Sequence, residues 1–139
     1  LEAPIMLQKV ILQKKILNKE ASIVFIASRA PFCPSAGNAV YSASKGAVIA
    51  YSKVLALELA SRKIRVNSVC PAMVWTELVT SDSSITKEAF EKNQSEYPLK
   101  RYGKPEDIAF LTIYLLSDAS NWMTGSSIDI TGGGAGVLI

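Results

Sequence analysis

Two short apolar runs constrain the fold of this chain more than any other feature. Residues 22–27 read SIVFIA and residues 64–70 read IRVNSVC, and both are rich in β-branched residues. A strand buried on both faces gives such a continuous run, whereas a half-exposed strand alternates between apolar and polar residues. Pro71 stops the second run. The two runs therefore predict two buried strands.

Helical segments alternate with these strands. The spacing of apolar residues predicts helices over residues 3–18 and 39–62, and a further helix that begins at Pro105 and continues to about residue 118. A last short strand is expected over residues 127–130, before a glycine run. Strands that alternate with helices are joined by right-handed crossovers into a parallel sheet. The predicted fold class is α/β, with three parallel strands and helices on both faces.

The start of the chain leads us to expect a longer polypeptide. Helical periodicity begins directly at Leu1, and SIVFIA would form a bare hydrophobic edge of a three-stranded sheet. We therefore interpret the chain as the carboxyl-terminal portion of a larger domain. The apolar side of its first helix is predicted to consist of Met6, Leu7, Val10, Ile11 and Leu17.

Composition excludes several classes of function. The 139 residues, of which 49% are hydrophobic, can bury a core without metals or disulfides. The absence of histidine removes histidine triads and the commonest metal ligand, and no metal site is predicted. A net charge of +3 on scattered lysines gives no nucleic-acid footprint. No long apolar run or signal peptide occurs, so we expect a cytoplasmic protein with Cys33 and Cys70 reduced and buried.

Three residues form a candidate catalytic group. Tyr41 and Lys45 lie one helical turn apart near the start of the second helix, and Ser28 ends the preceding strand. Composition alone gives about 0.4 chance Tyr-x-x-x-Lys pairs in a chain of this kind. The pair therefore indicates a site only through its position, because ligands of parallel sheets bind beyond the carboxyl ends of the strands.

Ketone reduction needs such a group. The alkoxide left by hydride transfer must be protonated, and a phenol can do this once a nearby ammonium lowers its pKa from about 10. A hydroxyl such as that of Ser28 can hold the carbonyl oxygen. The alternatives stay open at this point: Ser28 as a strand-end cap, Tyr41 as helix packing, and Lys45 as a solvated surface residue.

Four segments of the chain resemble short-chain dehydrogenases/reductases, close to bacterial 3-oxoacyl-(acyl-carrier-protein) reductases. SIVFIAS resembles the strand that ends in the catalytic serine of that family, and YSASKGAV resembles its active-site signature. IRVNSVCPAMVWTEL resembles the segment N-x-V-x-P-G-x-x-x-T, and YPLKRYGKPEDIAFLTIYLLSDASNWMTGSSIDITGG resembles the carboxyl-terminal signature. The resemblance implies that residues 1–139 are the carboxyl-terminal portion of a single Rossmann-type domain.

The resemblance also implies roles for individual residues. Ser28 would orient the substrate carbonyl, Tyr41 would be the acid and base, and Lys45 would lower the pKa of Tyr41 and bind the nicotinamide ribose. The segment from Pro71 to Thr76 would wrap the nicotinamide, and the cofactor-binding residues would be Tyr41, Lys45, Pro71, Ala72, Val74 and Thr76. The implied cofactor is NADP or NAD, with NADP favoured.

Departures from the family pattern limit what the chain alone can do. Ala72 stands where the family usually has glycine, and Thr131 where it often has aspartate. The glycine-rich dinucleotide fingerprint is absent from the sequence, and the fourth catalytic residue of the family, an asparagine, would precede Leu1. We therefore expect the isolated chain to be inactive and to give no NADPH fluorescence enhancement.

The resemblance leaves the substrate open and suggests a partner. Residues 77–100 are predicted to form a substrate lid, and the substrate would be a small or acyl-carrier-bound carbonyl compound. Arg29, Lys100 and Arg101 are candidates for a basic patch that meets an acidic carrier protein. A homodimer or homotetramer through helices 3–18 and 39–62 is expected. Two alternatives remain: a truncated, inactive relative that serves only as an interaction module, and an unrelated α/β binding domain.

Overall fold

The computed structural model describes residues 2–14, 16–76 and 87–134. The helices and strands follow in the predicted order: α1 (Glu2–Gln13), β1 (Ser22–Ile26), α2 (Ala39–Leu59), β2 (Arg65–Pro71), α3 (Lys87–Glu96), α4 (Pro105–Leu116) and β3 (Ser127–Ile130). Single 3₁₀ turns at Ala60–Arg62 and Asp118–Ser120 extend α2 and follow α4. Of the predicted lid over residues 77–100, the part from 77 to 86 lies outside the described residues.

The three strands form one parallel sheet in the order β1-β2-β3. β2 is the central strand, and its residues Val66 and Val69 are fully buried. β1 lies at an edge, as predicted, and pairs on one side only. Its side chains are therefore only partly buried, and Ile26 is 47% exposed. Burial on both faces was predicted for both strands and holds for β2 alone.

The helices α2 and α4 cover opposite faces of this sheet. Phe25 of β1 and Val66 of β2 belong to the core under α2. On the other face of β2, Arg65 donates hydrogen bonds to the carbonyl oxygens of Leu115 and Ser117 at the end of α4 (both 3.0 Å). The chain passes from β1 to β2 and from β2 to β3 in the same direction across the sheet. Two crossovers of the same hand would then place α2 and α4 on the same face. Because the two helices lie on opposite faces, the two crossovers have opposite hands. The expectation that every crossover is right-handed is therefore wrong for one of the two.

The main core lies between α2 and the sheet. Leu55, Ala56 and Leu59 of α2 pack with Ile64 and Val66, and Val48 and Ile49 form a second cluster with Ala27 and Cys70. Tyr51 packs against the first cluster, with its ring 5.9 Å from that of Phe25 in an edge-to-face arrangement. Val48, Tyr51, Leu55 and Leu59 therefore form the apolar face of the predicted second helix.

Three serine hydroxyls connect α2 to the sheet within this core. Ser52 and Ser68 are fully buried, and their oxygens lie 3.1 Å apart. The oxygen of Ser68 lies 3.2 Å from that of Ser127 on β3, and Ser52 also donates to the carbonyl of Ile49 at 2.8 Å. Because buried hydroxyls are costly when they lack partners, this chain of bonds fixes how α2 sits on the strands.

The helix α1 ends at Gln13 rather than at residue 18. The amide of Ile16 donates to the carbonyl of Ile11 (3.2 Å), a bond one residue wider than the α-helical pattern. The carbonyl of Leu17 then accepts a hydrogen bond from Nη2 of Arg62 (2.8 Å). The helix ends early because the chain must turn here for Leu17 to reach the core.

The predicted apolar side of the first helix faces the core only in part, because Leu17 packs against the core and Ile11 is partly buried but the other three residues are exposed. Gln8 is buried and Leu12 packs against the core cluster, whereas Met6, Leu7 and Val10 are 52%, 62% and 42% exposed. Gln8 and Leu12 lie one turn apart, so the helix is rotated relative to the prediction. As a result, α1 presents an apolar stripe to solvent.

An ion pair caps the start of α4. The carboxylate of Asp107 accepts two hydrogen bonds from Arg101 (2.6 and 3.0 Å) and one from the backbone amide of Lys104 (2.7 Å). The side-chain bonds from Arg101, followed by the backbone bond, lower the pKa of Asp107 from 3.8 to about 2. The predicted start of this helix at Pro105 is confirmed.

We expect the replacement Asp107→Asn to change the pH dependence of stability. A carboxyl group whose pKa is lower in the folded state stabilises the fold above its unfolded pKa, and this contribution is lost as the pH falls through about 2. The difference in unfolding free energy between the natural protein and the variant should therefore be constant above pH 4 and shrink between about pH 4 and pH 2.

Urea titrations at a series of pH values measure this difference. The matched control is Glu106→Gln, which removes a carboxylate from the same helical turn and leaves the bonds between Arg101 and Asp107 in place. The unfolding free energy of the control should depend on pH in the same way as that of the natural protein. A constant offset for Asp107→Asn down to pH 2 would contradict the role assigned to the ion pair.

Candidate active site

The carboxyl edge of the sheet gathers the residues singled out in the sequence. Ser28 follows β1 by two positions, and its Oγ accepts a hydrogen bond from the backbone amide of Ala30 (3.1 Å). Ser28 is partly buried. The turn after β1 therefore fixes the hydroxyl of Ser28 at the end of the strand.

Tyr41 and Lys45 lie one turn apart at the start of α2. The ammonium nitrogen of Lys45 donates a hydrogen bond to the carbonyl of Ile26 (3.1 Å), which is the last residue of β1. The same nitrogen lies 5.8 Å from the centroid of the Tyr41 ring, and Tyr41 is 48% exposed. Lys45 is thus not simply solvated, because it is bound to the strand end that leads to Ser28.

A second contact connects α2 to the turn that carries Ser28. The hydroxyl of Ser42 donates to the carbonyl of Ala30 (3.3 Å), and the amide of the same Ala30 donates to Ser28. The start of α2 beside Tyr41 and the turn after β1 are therefore joined through one residue. The structure brings Ser28, Tyr41 and Lys45 to one end of β1, as the sequence predicts.

Local sequence explains why α2 begins at this place. Gly37 has a φ of +86°, a conformation that favours glycine, and the amide of Ser42 donates to the carbonyl of Asn38 (2.8 Å) as the first helical bond. Gly46 faces Pro31 of the preceding loop, where an added Cβ would stand 3.6 Å from the Cβ of Pro31. The loop can therefore pack against the helix one turn beyond Tyr41.

The segment from Pro71 to Thr76 is held by two neighbouring elements. Pro71 is buried at the end of β2, and the amide of Ala72 donates to the carbonyl of Ile130 on β3 (3.1 Å). Val74 forms an isolated bridge with Gly103, and Thr76 is exposed. These backbone bonds place the segment at the same sheet edge as Ser28.

An aromatic cluster supports this segment, and the sequence did not reveal it. The ring of Trp75 stacks on that of Tyr102 at 6.5 Å, and Tyr102 meets Tyr97 edge to face at 5.3 Å. The hydroxyl oxygen of Tyr97 accepts a bond from the amide of Met73 (3.4 Å). Burial raises the pKa of Tyr97 and of Tyr102, so both phenols remain neutral and packed.

The glycine run after β3 closes over the same cluster. The carbonyl of Gly132 accepts a hydrogen bond from the amide of Leu99 (3.2 Å). An added Cβ on Gly134 would stand 2.8 Å from the ring of Tyr97, a distance too short for any side chain. The close approach of this turn to Tyr97 therefore requires glycine.

Among the described residues, one cavity lies at each of two opposite edges of the sheet. One of about 240 Å³ lies at the carboxyl edge, and its lining includes Val74, Arg101 and Thr131. A larger one of about 680 Å³ lies at the amino edge, and its lining includes Glu20 and Trp122. None of the predicted site residues lines the larger cavity. The smaller cavity adjoins the segment from Pro71 to Thr76, because Val74 lines it, whereas Ser28, Tyr41 and Lys45 do not.

Three further features of the described residues concern thiols, metal ligands and membrane-spanning helices. Cys33 and Cys70 are buried thiols that are not joined in a disulfide, as predicted, and burial raises the pKa of the Cys70 thiol. In the ranges that the structure covers, we find no group of three or more His, Cys, Asp or Glu side chains placed to hold a metal ion. No helix in those ranges is both long and apolar enough to cross a membrane.

The chain is similar to known proteins over almost its whole length. Residues 2–134 match the family model described as enoyl-(acyl carrier protein) reductase. The 3-oxoacyl-(acyl-carrier-protein) reductase of Thermotoga maritima is 39% identical over 118 residues, which are 85% of this chain and 47% of that protein.

Solved structures give the same result. A short chain dehydrogenase family protein from Francisella tularensis superposes with a TM-score of 0.86 at 39% identity, over 96% of this chain and 57% of that one. A 4-hydroxyisoleucine dehydrogenase complexed with NADH superposes with a TM-score of 0.77 at 34% identity, over 96% of this chain and 55% of that one.

A parallel sheet with polar side chains gathered at its carboxyl edge defines an α/β domain of the ligand-binding type. This chain belongs to the short-chain dehydrogenase/reductase family. It spans about half the length of the curated relatives that it matches.

Proposed function

We propose that the complete protein is an NAD(P)(H)-dependent oxidoreductase that interconverts a ketone and a secondary alcohol by hydride transfer. The observation that carries this proposal is the position of Lys45, whose ammonium is bound to the end of β1 and lies 5.8 Å from the ring of Tyr41. Membership of the family supports the same reaction class.

The three side chains divide the reaction between them. The hydroxyl of Ser28 holds the substrate carbonyl oxygen, because the turn through Ala30 fixes its direction. Tyr41 donates its phenolic proton to that oxygen as negative charge develops there. The positive charge of Lys45 stabilises the phenolate that results, which makes proton donation easier at neutral pH. In the reverse direction the phenolate takes the proton from the alcohol.

The chain offers part of a nicotinamide site. Lys45 can donate to ribose hydroxyls, and the backbone from Pro71 to Thr76 is held beside Ser28 and ends in an exposed hydroxyl. When bound, the nicotinamide supplies or accepts the hydride. The glycine-rich phosphate cradle is absent from this sequence, so these residues fit the nicotinamide half of the cofactor and not its pyrophosphate.

The substrate we propose is a small-molecule or acyl-carrier-bound carbonyl compound, following the relative from Thermotoga maritima. The suggested basic patch receives little support. Arg29 is paired with Asp129 and Arg101 with Asp107, while the ammonium of Lys100 donates to the carbonyl of Ser95 (2.8 Å). Because these charges have intramolecular partners, a small-molecule carbonyl fits the described residues better than an acidic carrier protein.

We also propose that the protein assembles through α1 and α2, as a homodimer or homotetramer. On α2, Val40, Val54 and Leu57 are 85%, 54% and 79% exposed, and Val54 and Leu57 lie one helical turn apart. The exposed stripe on α1 and these residues of α2 are apolar surfaces of the kind that is buried in interfaces. The same surface favours the alternative, a catalytically inactive interaction module.

Coenzyme binding separates the two candidates. The complete reading frame that encodes this chain should enhance the fluorescence of NADPH or NADH and reduce ketones, and titration with both coenzymes tests the preference for NADP. The 139-residue chain alone should give no enhancement, because it lacks the phosphate cradle. A complete protein that binds neither coenzyme would contradict the oxidoreductase proposal and favour the interaction module.

A further inference from the structure

The side chain of Arg29 joins three parts of the carboxyl edge. Its Nη1 donates to Oδ2 of Asp129 on β3 (2.5 Å), and its Nη2 donates to the sulfur of Cys33 (3.5 Å). Its guanidinium carbon lies 5.2 Å from the centroid of the Phe32 ring. Cys33 is buried, and the side chains of Arg29 and Asp129 are 22% and 45% exposed, so the guanidinium is the less solvated partner of an ion pair that solvent still reaches at Asp129.

The ion pair crosses the central strand. Asp129 is the register partner of Cys70 on β2, and the amide of Arg29 donates to the carbonyl of Pro71 at the end of β2 (2.9 Å). The Arg29 side chain therefore reaches from β1 over β2 to β3. It connects two strands that do not pair with each other.

Arg29 also lies in the middle of the segment that orients Ser28. On one side of it stands Ser28, whose Oγ accepts from the amide of Ala30 on the other side (3.1 Å). The carbonyl of Ala30 accepts from Ser42, the neighbour of Tyr41 (3.3 Å). A displacement of Arg29 would therefore change the position of the Ser28 hydroxyl relative to Tyr41.

We propose that Arg29 is a positioning residue, and that its ion pair with Asp129 holds residues 28–30 in the conformation that presents the Ser28 hydroxyl to the substrate. The inference rests on the proposed function in one respect, the assignment of Ser28 to the substrate carbonyl. Arg29 acts through Ser28 and does not itself touch the reacting atoms. Its guanidinium has a defined direction because Nη1, Nη2 and the planar face each have a partner.

Variants of the complete reading frame test the ion pair. Both Arg29→Met and Asp129→Asn should lower kcat for ketone reduction by about tenfold, since a small displacement of an orienting group is costly. The dissociation constant of the coenzyme should stay unchanged. The double variant should be no slower than either single variant, because both remove the same interaction. Arg29→Lys keeps the charge and should recover part of the lost kcat.

The matched control is Glu20→Gln, which breaks the pair between Glu20 and Lys63 at the opposite edge of the sheet. Like Asp129→Asn, it converts a carboxylate to an amide, and it should leave kcat unchanged. Hydrogen exchange of the Ala30 amide gives a readout that does not depend on activity. Exchange at Ala30 should accelerate in Arg29→Met and Asp129→Asn but not in the control.

These readouts separate the inference from the proposed function. Unchanged kcat and unchanged exchange at Ala30 in both ion-pair variants would overturn the positioning role, even if Tyr41→Phe is inactive. The positioning role would also be overturned if the losses of kcat in the two single variants were additive in the double variant. The same holds if the single variants lost no more kcat than Glu20→Gln. If the complete protein reduces no ketone, the proposed function fails, and exchange at Ala30 still decides whether the ion pair orders the segment.

Discussion

Replacement of Tyr41 by phenylalanine in the complete protein is expected to lower kcat for ketone reduction by a factor of about 10² to 10⁴, the usual contribution of a general acid. The coenzyme should bind as before, because the phenylalanine keeps the ring and removes only the phenolic oxygen. The side chain of Tyr41 is half exposed at the carboxyl edge and faces the ammonium of Lys45, so its loss should disturb chemistry and not packing.

Tyr51→Phe is the matched control for this variant. Tyr51 lies on the same helix, but its ring packs edge to face on Phe25 within the core, and burial raises the pKa of its phenol. Steady-state kinetics should therefore find kcat unchanged in Tyr51→Phe. Equal activity in Tyr41→Phe and in the natural protein would show that another group supplies the proton.

Replacement of the partly buried Arg65 by methionine is expected to lower the free energy of unfolding strongly. The guanidinium donates four hydrogen bonds of 2.9 to 3.3 Å, to the carbonyls of Leu115, Ser117 and Met123 and to the hydroxyl of Ser120. These acceptors surround the end of α4 and the turn that leads to β3. Methionine keeps the apolar stem and leaves the acceptors without a charged donor, so we expect a loss of about 3 kcal/mol in unfolding free energy.

Arg62→Met provides the control for the loss of a guanidinium. Arg62 donates to the carbonyl of Leu17 (2.8 Å), and its removal should cost only about 1 kcal/mol. Urea unfolding of both variants in the complete protein measures the difference. Similar losses for the two variants would contradict the view that Arg65 holds α4 on its face of the sheet.

The order of elements could be predicted because it depends on local patterns. A continuous β-branched run is sufficient to identify β2, and the proline at position 105 with acidic residues behind it is sufficient to identify the start of α4. The position of the candidate site followed from the same patterns, since the end of β1 and the start of α2 determine where Ser28, Tyr41 and Lys45 lie.

The predictions from sequence were wrong where tertiary contacts determine the structure. The end of α1 depends on Leu17 reaching the core, and the side that α1 buries depends on packing that places Gln8 and not Met6 inside. The hand of the crossover that contains α4 follows from the contacts of Arg65 with the end of that helix. None of these has a local sequence signal.

Contacts between residues that are far apart in the sequence could not be predicted either. Arg29 and Asp129 are 100 positions apart, and only the register of β3 against β2 brings them within reach of each other. The stacking of Trp75 on Tyr102 likewise depends on the bridge between Val74 and Gly103. The tyrosines next to Pro98 and Gly103 were the available hint, because aromatic residues beside such turns often pack against them.

Transfer of deuterium from a reduced coenzyme that carries deuterium at both positions of nicotinamide C4 tests hydride transfer at this site directly. The complete protein is incubated with the labelled reduced coenzyme and a ketone, and the alcohol is analysed by mass spectrometry and NMR. Hydride transfer at the site of Ser28, Tyr41 and Lys45 predicts one deuterium on the carbinol carbon, and formation of this labelled alcohol slower by a factor of about 10² to 10⁴ in Tyr41→Phe. Unlabelled alcohol would contradict hydride transfer from the coenzyme, and label transfer at the natural rate in Tyr41→Phe would contradict the role of Tyr41 as the proton donor.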